Sequence, residues 1–154
     1  MPKQSPKPLN LKAFLPYRLS VLTNMISRNL GNMYSERFDL SIAEWRVMAV
    51  LGQDSDISAD AVCAHTEMDK VSVSRAVTKL LDKQYIDRKF STEDRRRSIL
   101  RLSRSGYAVY TKVVPIVRQY EKTLFQGLSK TELDQFNRLL DKINHRARSI
   151  FHTS

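Results

Sequence analysis

The stretch Ile57-Ser-Ala-Asp-Ala-Val-Cys-Ala-His-Thr-Glu-Met-Asp-Lys-Val-Ser-Val-Ser-Arg-Ala-Val-Thr-Lys-Leu-Leu81 holds two short helical patterns divided by a polar break. Ser58 is placed to cap the first helix, whose small residues Ala59, Ala61 and Ala64 permit close packing. Asp69 is placed to cap the second, which is expected to run to about Gln84 with Val73, Ala76, Val77, Leu80 and Leu81 as its apolar stripe. Lys70, Ser72, Ser74, Arg75, Thr78 and Lys79 form the polar remainder. Two short helices joined by a tight polar turn, read here at His65-Thr66, define a helix-turn-helix.

The sequence to either side extends this unit. Ser41-Ile-Ala-Glu44 is a capping-box pattern opening a helix with Ile42, Trp45, Met48, Ala49 and Leu51, which meets a breaker stretch at Gly52. Ile86–Phe90 and Ser98–Leu102 are short β-compatible runs around the polar loop Ser91–Arg97, so a hairpin with a basic tip is expected. From Leu9 onward apolar residues recur at helical steps (Phe14, Leu19, Leu22, Ile26, Leu30, Met33), with Pro16 tolerated in the first turn. Ser103 is placed to cap a long helix through about Leu128 that contains Pro115, and Ser129-Lys-Thr-Glu132 is a second capping box opening a last helix. The expected fold is mainly α with a small β-hairpin wing: a winged helix-turn-helix over residues 39–103, flanked by helices at 9–38 and 104–154 that pair in a dimer, after a flexible tail at 1–8.

Composition bounds the function. The chain has 154 residues, 42% hydrophobic, with 4 Gly and 5 Pro, which fits one compact domain with helical extensions. A single Cys excludes an intrachain disulfide, and Cys63 has no neighbouring cation in sequence, so a structural role is expected for it. No apolar run approaches the ~18 residues of a membrane helix and no apolar segment follows the polar start, so a cytoplasmic protein without a membrane partner is expected. The net charge of +10 is uneven: residues 70–104 carry 11 basic against 4 acidic side chains, whereas residues 1–69 carry 7 against 8. Concentrated Lys and Arg of this kind point to a polyanion, because they release counterions from phosphates. His65, His145 and His152 are scattered without metal-ligand spacing, and no Walker loop, dinucleotide fingerprint or nucleophile elbow occurs. No metal, cofactor or catalytic residue is assigned, and an enzyme is not expected.

Trp45–Leu51, the helix-turn-helix from Ile57 to Leu81, and Asp94-Arg-Arg-Arg97 ahead of Leu100-Arg-Leu-Ser103 together resemble the MarR family of bacterial transcription regulators. The resemblance spans roughly Leu11 to Ile150, and its most specific part is the recognition helix followed by a wing with Asp-x-Arg, here Asp94 and Arg96. Two positions depart from the family pattern: Gln84 or Tyr85 stands where Gly often ends the recognition helix, and the helix-turn-helix turn lacks Gly. The resemblance implies a homodimer with one DNA-binding lobe per protomer and a small-molecule pocket between that lobe and the dimerisation helices.

On that reading Arg75 reads a base, because a guanidinium can donate twice to guanine O6 and N7. Ser72, Ser74, Thr78 and Lys79 divide between base edges and phosphates, and Lys70 meets a phosphate. One of Arg95, Arg96 and Arg97 enters the minor groove from the wing, where Asp94 serves as support through an ion pair with Arg96 or a helix arginine. Tyr17, Arg18 and Arg46 are the candidate effector contacts, with interdomain salt bridges as the alternative role for both arginines. The function expected is a sequence-specific regulator of double-stranded DNA, a repressor on a pseudo-palindromic operator relieved by an aromatic or phenolic carboxylate. The alternatives are a sequence-nonspecific architectural nucleic-acid binder and a basic helical adaptor for acidic proteins or membrane surfaces.

Overall fold

The computed structural model describes residues 7–94 and 97–151. Six helices and one hairpin follow in the order α1 (Leu15–Phe38), α2 (Ile42–Gln53), α3 (Ala59–Thr66), α4 (Lys70–Asp82), β1 (Ile86–Phe90), β2 (Ser98–Leu102), α5 (Arg104–Leu124) and α6 (Lys130–Phe151). This is the expected winged helix-turn-helix with flanking helices. The chain divides into two compact units that part between Val117 and Arg118.

The helix starts follow from local side chains. Ser41 accepts from the Glu44 N–H at 3.1 Å while Glu44 accepts from the Ser41 N–H at 2.6 Å, completing the capping box of α2. Ser58 accepts from Ala61 N–H at 3.1 Å to cap α3, and Asp69 from Ser72 N–H at 2.8 Å to cap α4. Ser103 caps α5 through the Gly106 N–H, and Ser129 with Glu132 forms the second capping box, on α6.

Several helix boundaries differ from the expected ones, each for a local reason. The first helix begins at Leu15 rather than Leu9, because the Asn10 carbonyl takes the N–H groups of Ala13 and Phe14 in a separate turn. The helix-turn-helix turn falls at Glu67, not His65-Thr66: α3 continues to Thr66, and Glu67 adopts φ +54° to end it. The second helix runs on through Gly52 to Gln53, with the Tyr110 ring occupying the space beside Gly52 where a Cβ would stand. The fifth helix stops at Leu124, four residues early, and its turn passes through Gly127 at φ +97°. A recognition helix expected to reach Gln84 ends at Asp82, and Gln84 takes the left-handed position at φ +58°. There the Tyr85 N–H bonds to the Leu80 carbonyl and the Gln84 N–H to that of Leu81, a Schellman closure made without glycine.

The core of the first unit is the meeting of α2, α3, α4 and the hairpin. Val47, Met48, Val62, Val73, Val77, Leu80 and Leu100 are fully buried there. The strands pair antiparallel, Ile86 opposite Leu102 and Phe90 opposite Ser98. A third piece joins them: Ile57 exchanges both backbone hydrogen bonds with Leu100, at 3.3 and 2.8 Å, which fastens the wing to the entrance of α3. Tyr34 of α1, Trp45 of α2 and Tyr110 and Tyr107 of α5 form an aromatic ladder with centroid spacings of 5.8, 5.8 and 6.1 Å. Cys63 is half-buried against this core.

The second unit holds the end of α5, the turn and α6, with Phe125 against Phe136 at 6.0 Å. Along α6 the apolar residues Phe136, Leu139, Leu140, Ile143 and Ile150 are exposed. Among the described residues no helix is long and apolar enough to cross a membrane.

Candidate nucleic-acid interface

One helix face and one hairpin tip make up the site. Because residues advance by about 100° along a helix, the buried Val73, Ala76, Val77 and Leu80 turn one side of α4 to the core. The opposite side consists of Val71, Arg75 and Thr78, flanked by Lys70, Ser74 and Lys79, and all six are exposed. Five of these belong to the polar set read from the sequence. Val71 does not, although the same wheel that places Val73 and Val77 inward puts Val71 in line with Arg75.

Hydrogen bonding separates the polar residues. Ser72 is half-buried, and its hydroxyl donates to the Asp69 carboxylate at 2.7 Å, so it braces the helix start. These Ser72 contacts, hydroxyl first and then backbone N–H, hold the Asp69 carboxyl below its ordinary value of 3.8. Thr78 donates its hydroxyl proton to the Ser74 carbonyl at 3.0 Å, leaving its oxygen as an acceptor on the outer face. Lys70 lies 3.6 Å from Asp60 with both groups largely in water, a pairing of little strength that a phosphate can displace.

The wing is built from its loop inward. Ser91 closes it: its N–H donates to the Arg97 carbonyl at 2.8 Å, and its hydroxyl accepts from the N–H groups of Glu93 and Asp94. Asp94 takes part through its backbone, accepting from Arg97 N–H at 2.9 Å. Arg97 is exposed at the tip, as are Arg88, Lys89 and Phe90 of β1. Arg95 and Arg96, and with them the expected Asp94–Arg96 pair, lie outside the described residues. Arg101 of β2 lies 4.0 Å from Asp56 at the approach to α3.

Two clasps missed in the sequence hold α4 in place. At its end, the Gln84 carbonyl accepts from the hydroxyls of both Ser103 and Ser105 at 2.6 Å, and the Tyr85 carbonyl accepts from Ser103 N–H at 3.0 Å. Beside it, Lys83 Nζ donates to Glu44 and to the Asp39 carbonyl, joining α4 to the start of α2. Neither had a local signal, because each joins residues far apart in the chain.

The effector candidates are not gathered together. Arg46 donates to Ser27 Oγ at 2.9 Å, linking α2 to the middle of α1. Tyr17 and Arg18 are exposed at the start of α1, nine or more residues before Ser27, which is about 14 Å of helical rise. Arg46 also tempers its buried neighbour Tyr34, whose phenol is pushed up to about 12 chiefly by burial. The His65 imidazole lies 3.8 Å from Asp54.

A helix-turn-helix whose second helix turns a cationic face outward, beside a hairpin with an arginine at its tip, defines the winged helix-turn-helix class. The model of the MarR family matches residues 38–97, from the end of α1 through the wing loop ahead of β2. The HTH-type transcriptional repressor IacR of Pseudomonas putida is 21% identical over 134 residues, covering 87% of this chain and 80% of the relative. A MarR/EmrR family transcriptional regulator from Acinetobacter sp. ADP1 superposes with a TM-score of 0.85 at 28% identity, over 92% of this chain and 99% of that one. A mutant MarR from E. coli, complexed with operator DNA, shares the fold with a TM-score of 0.76 at 20% identity, over 89% and 99% of the two chains. Residues 38–97 thus match the MarR family of transcriptional regulators, and the fold over most of the chain is the one seen in MarR-family structures. These relatives are regulators, not enzymes.

Proposed function

We propose that this chain is a homodimeric repressor that binds a pseudo-palindromic duplex operator, α4 entering the major groove and the wing the adjacent minor groove. The observation that carries this reading is the outward face of α4, where Arg75 stands between Val71 and Thr78 with Lys70 and Lys79 at its flanks. Side chains on a helix of this thickness fit a major groove about 12 Å wide, and the N-terminal half supplies the base contacts. The operator and repressor parts draw on relatives, the E. coli MarR bound to operator DNA and the P. putida repressor. Dimerisation is supported by the uncovered apolar residues of α1 and α6, among them Leu15, Leu19, Leu139 and Ile143. A dimer places two copies of α4 on half-sites about one helical turn apart, roughly 34–36 Å.

Relief by an aromatic or phenolic carboxylate belongs to the same reading. Tyr17 and Arg18 offer a ring and a guanidinium in solvent, whereas Arg46 is held by Ser27 and contributes only if that bond opens. Such a ligand acts by binding the DNA-free arrangement more tightly than the bound one.

The test is selection of bound sequences from random duplexes followed by footprinting. A two-fold symmetric consensus with half-sites one turn apart is expected. Equal binding to all duplexes at fixed salt would make the protein an architectural binder, and no duplex binding at all would favour a basic adaptor.

A further inference from the structure

We propose that Val71 is a base-reading residue, its γ-methyl groups meeting the 5-methyl group of a thymine at one base pair of each half-site. The proposal rests on the duplex-DNA reading above and assigns to one side chain a part of its sequence preference. Val71 is 58% exposed, while Val73, Ala76, Val77 and Leu80 of the same helix are buried on the opposite side. The core therefore makes no use of it. Helix formation gives no reason for it either, since valine is a weaker helix former than alanine, lysine or glutamine.

Its place is informative. It stands in the first turn of α4, one turn before Arg75 and two before Thr78 on the same line, so a groove that receives Arg75 receives Val71 first. The thymine methyl is the apolar group that marks a base pair in the major groove, and apolar side chains recognise it by contact. Valine suits the task because its χ1 is nearly fixed in a helix, so little freedom is lost on contact. The turn that carries it is itself fixed, by the Asp69 carboxylate bonded to Ser72 N–H at 2.8 Å and Ser72 Oγ at 2.7 Å. Thr78 is the competing source of a methyl, because its hydroxyl is committed to the Ser74 carbonyl.

The experiment uses the full-length protein and the duplex obtained by selection, with each thymine replaced in turn by uracil, which deletes only the methyl. At one symmetric pair of positions uracil is expected to weaken binding about fourfold per half-site, the effect of one buried methyl-sized group. In Val71→Ala the thymine and uracil duplexes should bind alike at that pair, and in Val71→Ile the discrimination should persist. Thr78→Ser keeps the hydroxyl, removes the competing methyl, and should leave the discrimination intact. Thymine preference that survives Val71→Ala, or that vanishes in Thr78→Ser instead, overturns the proposal, as does the absence of any uracil-sensitive position in a selectively bound duplex. Failure to bind any duplex selectively is a different result, which removes the operator reading and this inference together. Because Val71 is exposed, Val71→Ala should melt like the parent, which separates lost reading from lost fold.

Discussion

The ammonium of Lys83 lies 3.1 Å from the carboxylate of Glu44, whose side chain is only 2% exposed. The same nitrogen donates to the Asp39 carbonyl and stands 3.4 Å from the Asp39 carboxylate. Glu44 in turn accepts from Ser41 N–H, so one carboxylate both caps α2 and anchors the end of α4. Lys83→Met keeps the aliphatic stem and leaves a buried carboxylate without its cation. We expect a loss of about 3 kcal/mol, at the low end for broken buried pairs because the Ser41 N–H remains. Urea unfolding midpoints measure it, and adding Glu44→Gln to Lys83→Met should restore part of the loss. A Lys83→Met protein as stable as the parent would refute the anchoring role.

Gly106 is required by a backbone approach. A Cβ there would stand 1.7 Å from the Tyr85 carbonyl oxygen, which belongs to the closure after α4 and cannot swing aside like a side chain. Gly106→Ala should therefore displace the start of α5 and cost about 3 kcal/mol or more. Gly127 is the contrasting case: a Cβ would meet nothing within 4 Å, but the backbone is left-handed at φ +97°. Gly127→Ala should cost only about 1–2 kcal/mol. Thermal melts of the two variants side by side check the order, and equal losses would contradict it.

Tyr34 supplies an alkaline signature. Burial raises its phenol from 10.0 to about 12, with Arg46 opposing weakly, so folding favours the neutral ring. A raised folded pKa gives a contribution that is complete below the unfolded value and lost as pH climbs through the folded one. Stability should thus fall between about pH 10 and 12, and Tyr34→Phe should remove that part of the fall. The difference in absorbance at 295 nm between parent and Tyr34→Phe isolates this ionisation. A midpoint near 10 in that difference would mean that the ring is hydrated.

What the sequence disclosed and what it hid divide by range. Ser41, Ser58, Asp69, Ser103 and Ser129 each cap a helix three residues away, and five caps read from local pattern stand where expected. The strands keep their expected bounds because alternation and a polar loop are also local. The turn at Glu67 is not legible, because a non-glycine residue in the left-handed region leaves no mark in composition. The Ile57–Leu100 bridge, the Lys83–Glu44 pair and the Gly106–Tyr85 approach join distant positions, so no local pattern announces them. Val71 is legible on the helical wheel, where it lines up with Arg75, but its apolar side chain sets it apart from the polar residues of that face.

Association of two copies can be tested on α6 without disturbing the protomer. Leu139 and Ile143 are 49% and 51% exposed and lie one turn apart, so charging them removes nothing from the core of one chain. Leu139→Glu with Ile143→Glu should convert a dimer to a folded monomer and weaken operator binding by at least a hundredfold, since each half-site must then be bound alone. Sedimentation velocity and circular dichroism read the two parts separately. An unchanged sedimentation coefficient would place the dimer contact elsewhere.

Arg75 separates reading from holding. Its exposed guanidinium sits on the outward face of α4, where a bidentate bond to guanine is the commonest base-specific contact of an arginine. Arg75→Ala should cost about 1–3 kcal/mol and relax preference at one base pair of each half-site, whereas Lys70→Ala should weaken all duplexes alike. The two also differ in salt. If the dimer neutralises on the order of 8–10 phosphates, the log–log slope should lie near −7 to −9, and each phosphate contact removed should make it shallower by about one unit. Lys70→Ala is expected to change that slope and Arg75→Ala to leave it in place. A uniform loss across sequences with a shallower slope for Arg75→Ala would move that arginine from the base edge to the backbone. A parental slope near −2 would refute the cationic face itself, because the arginines and lysines of α4 and the wing tip, doubled in a dimer, would then be touching almost no phosphate.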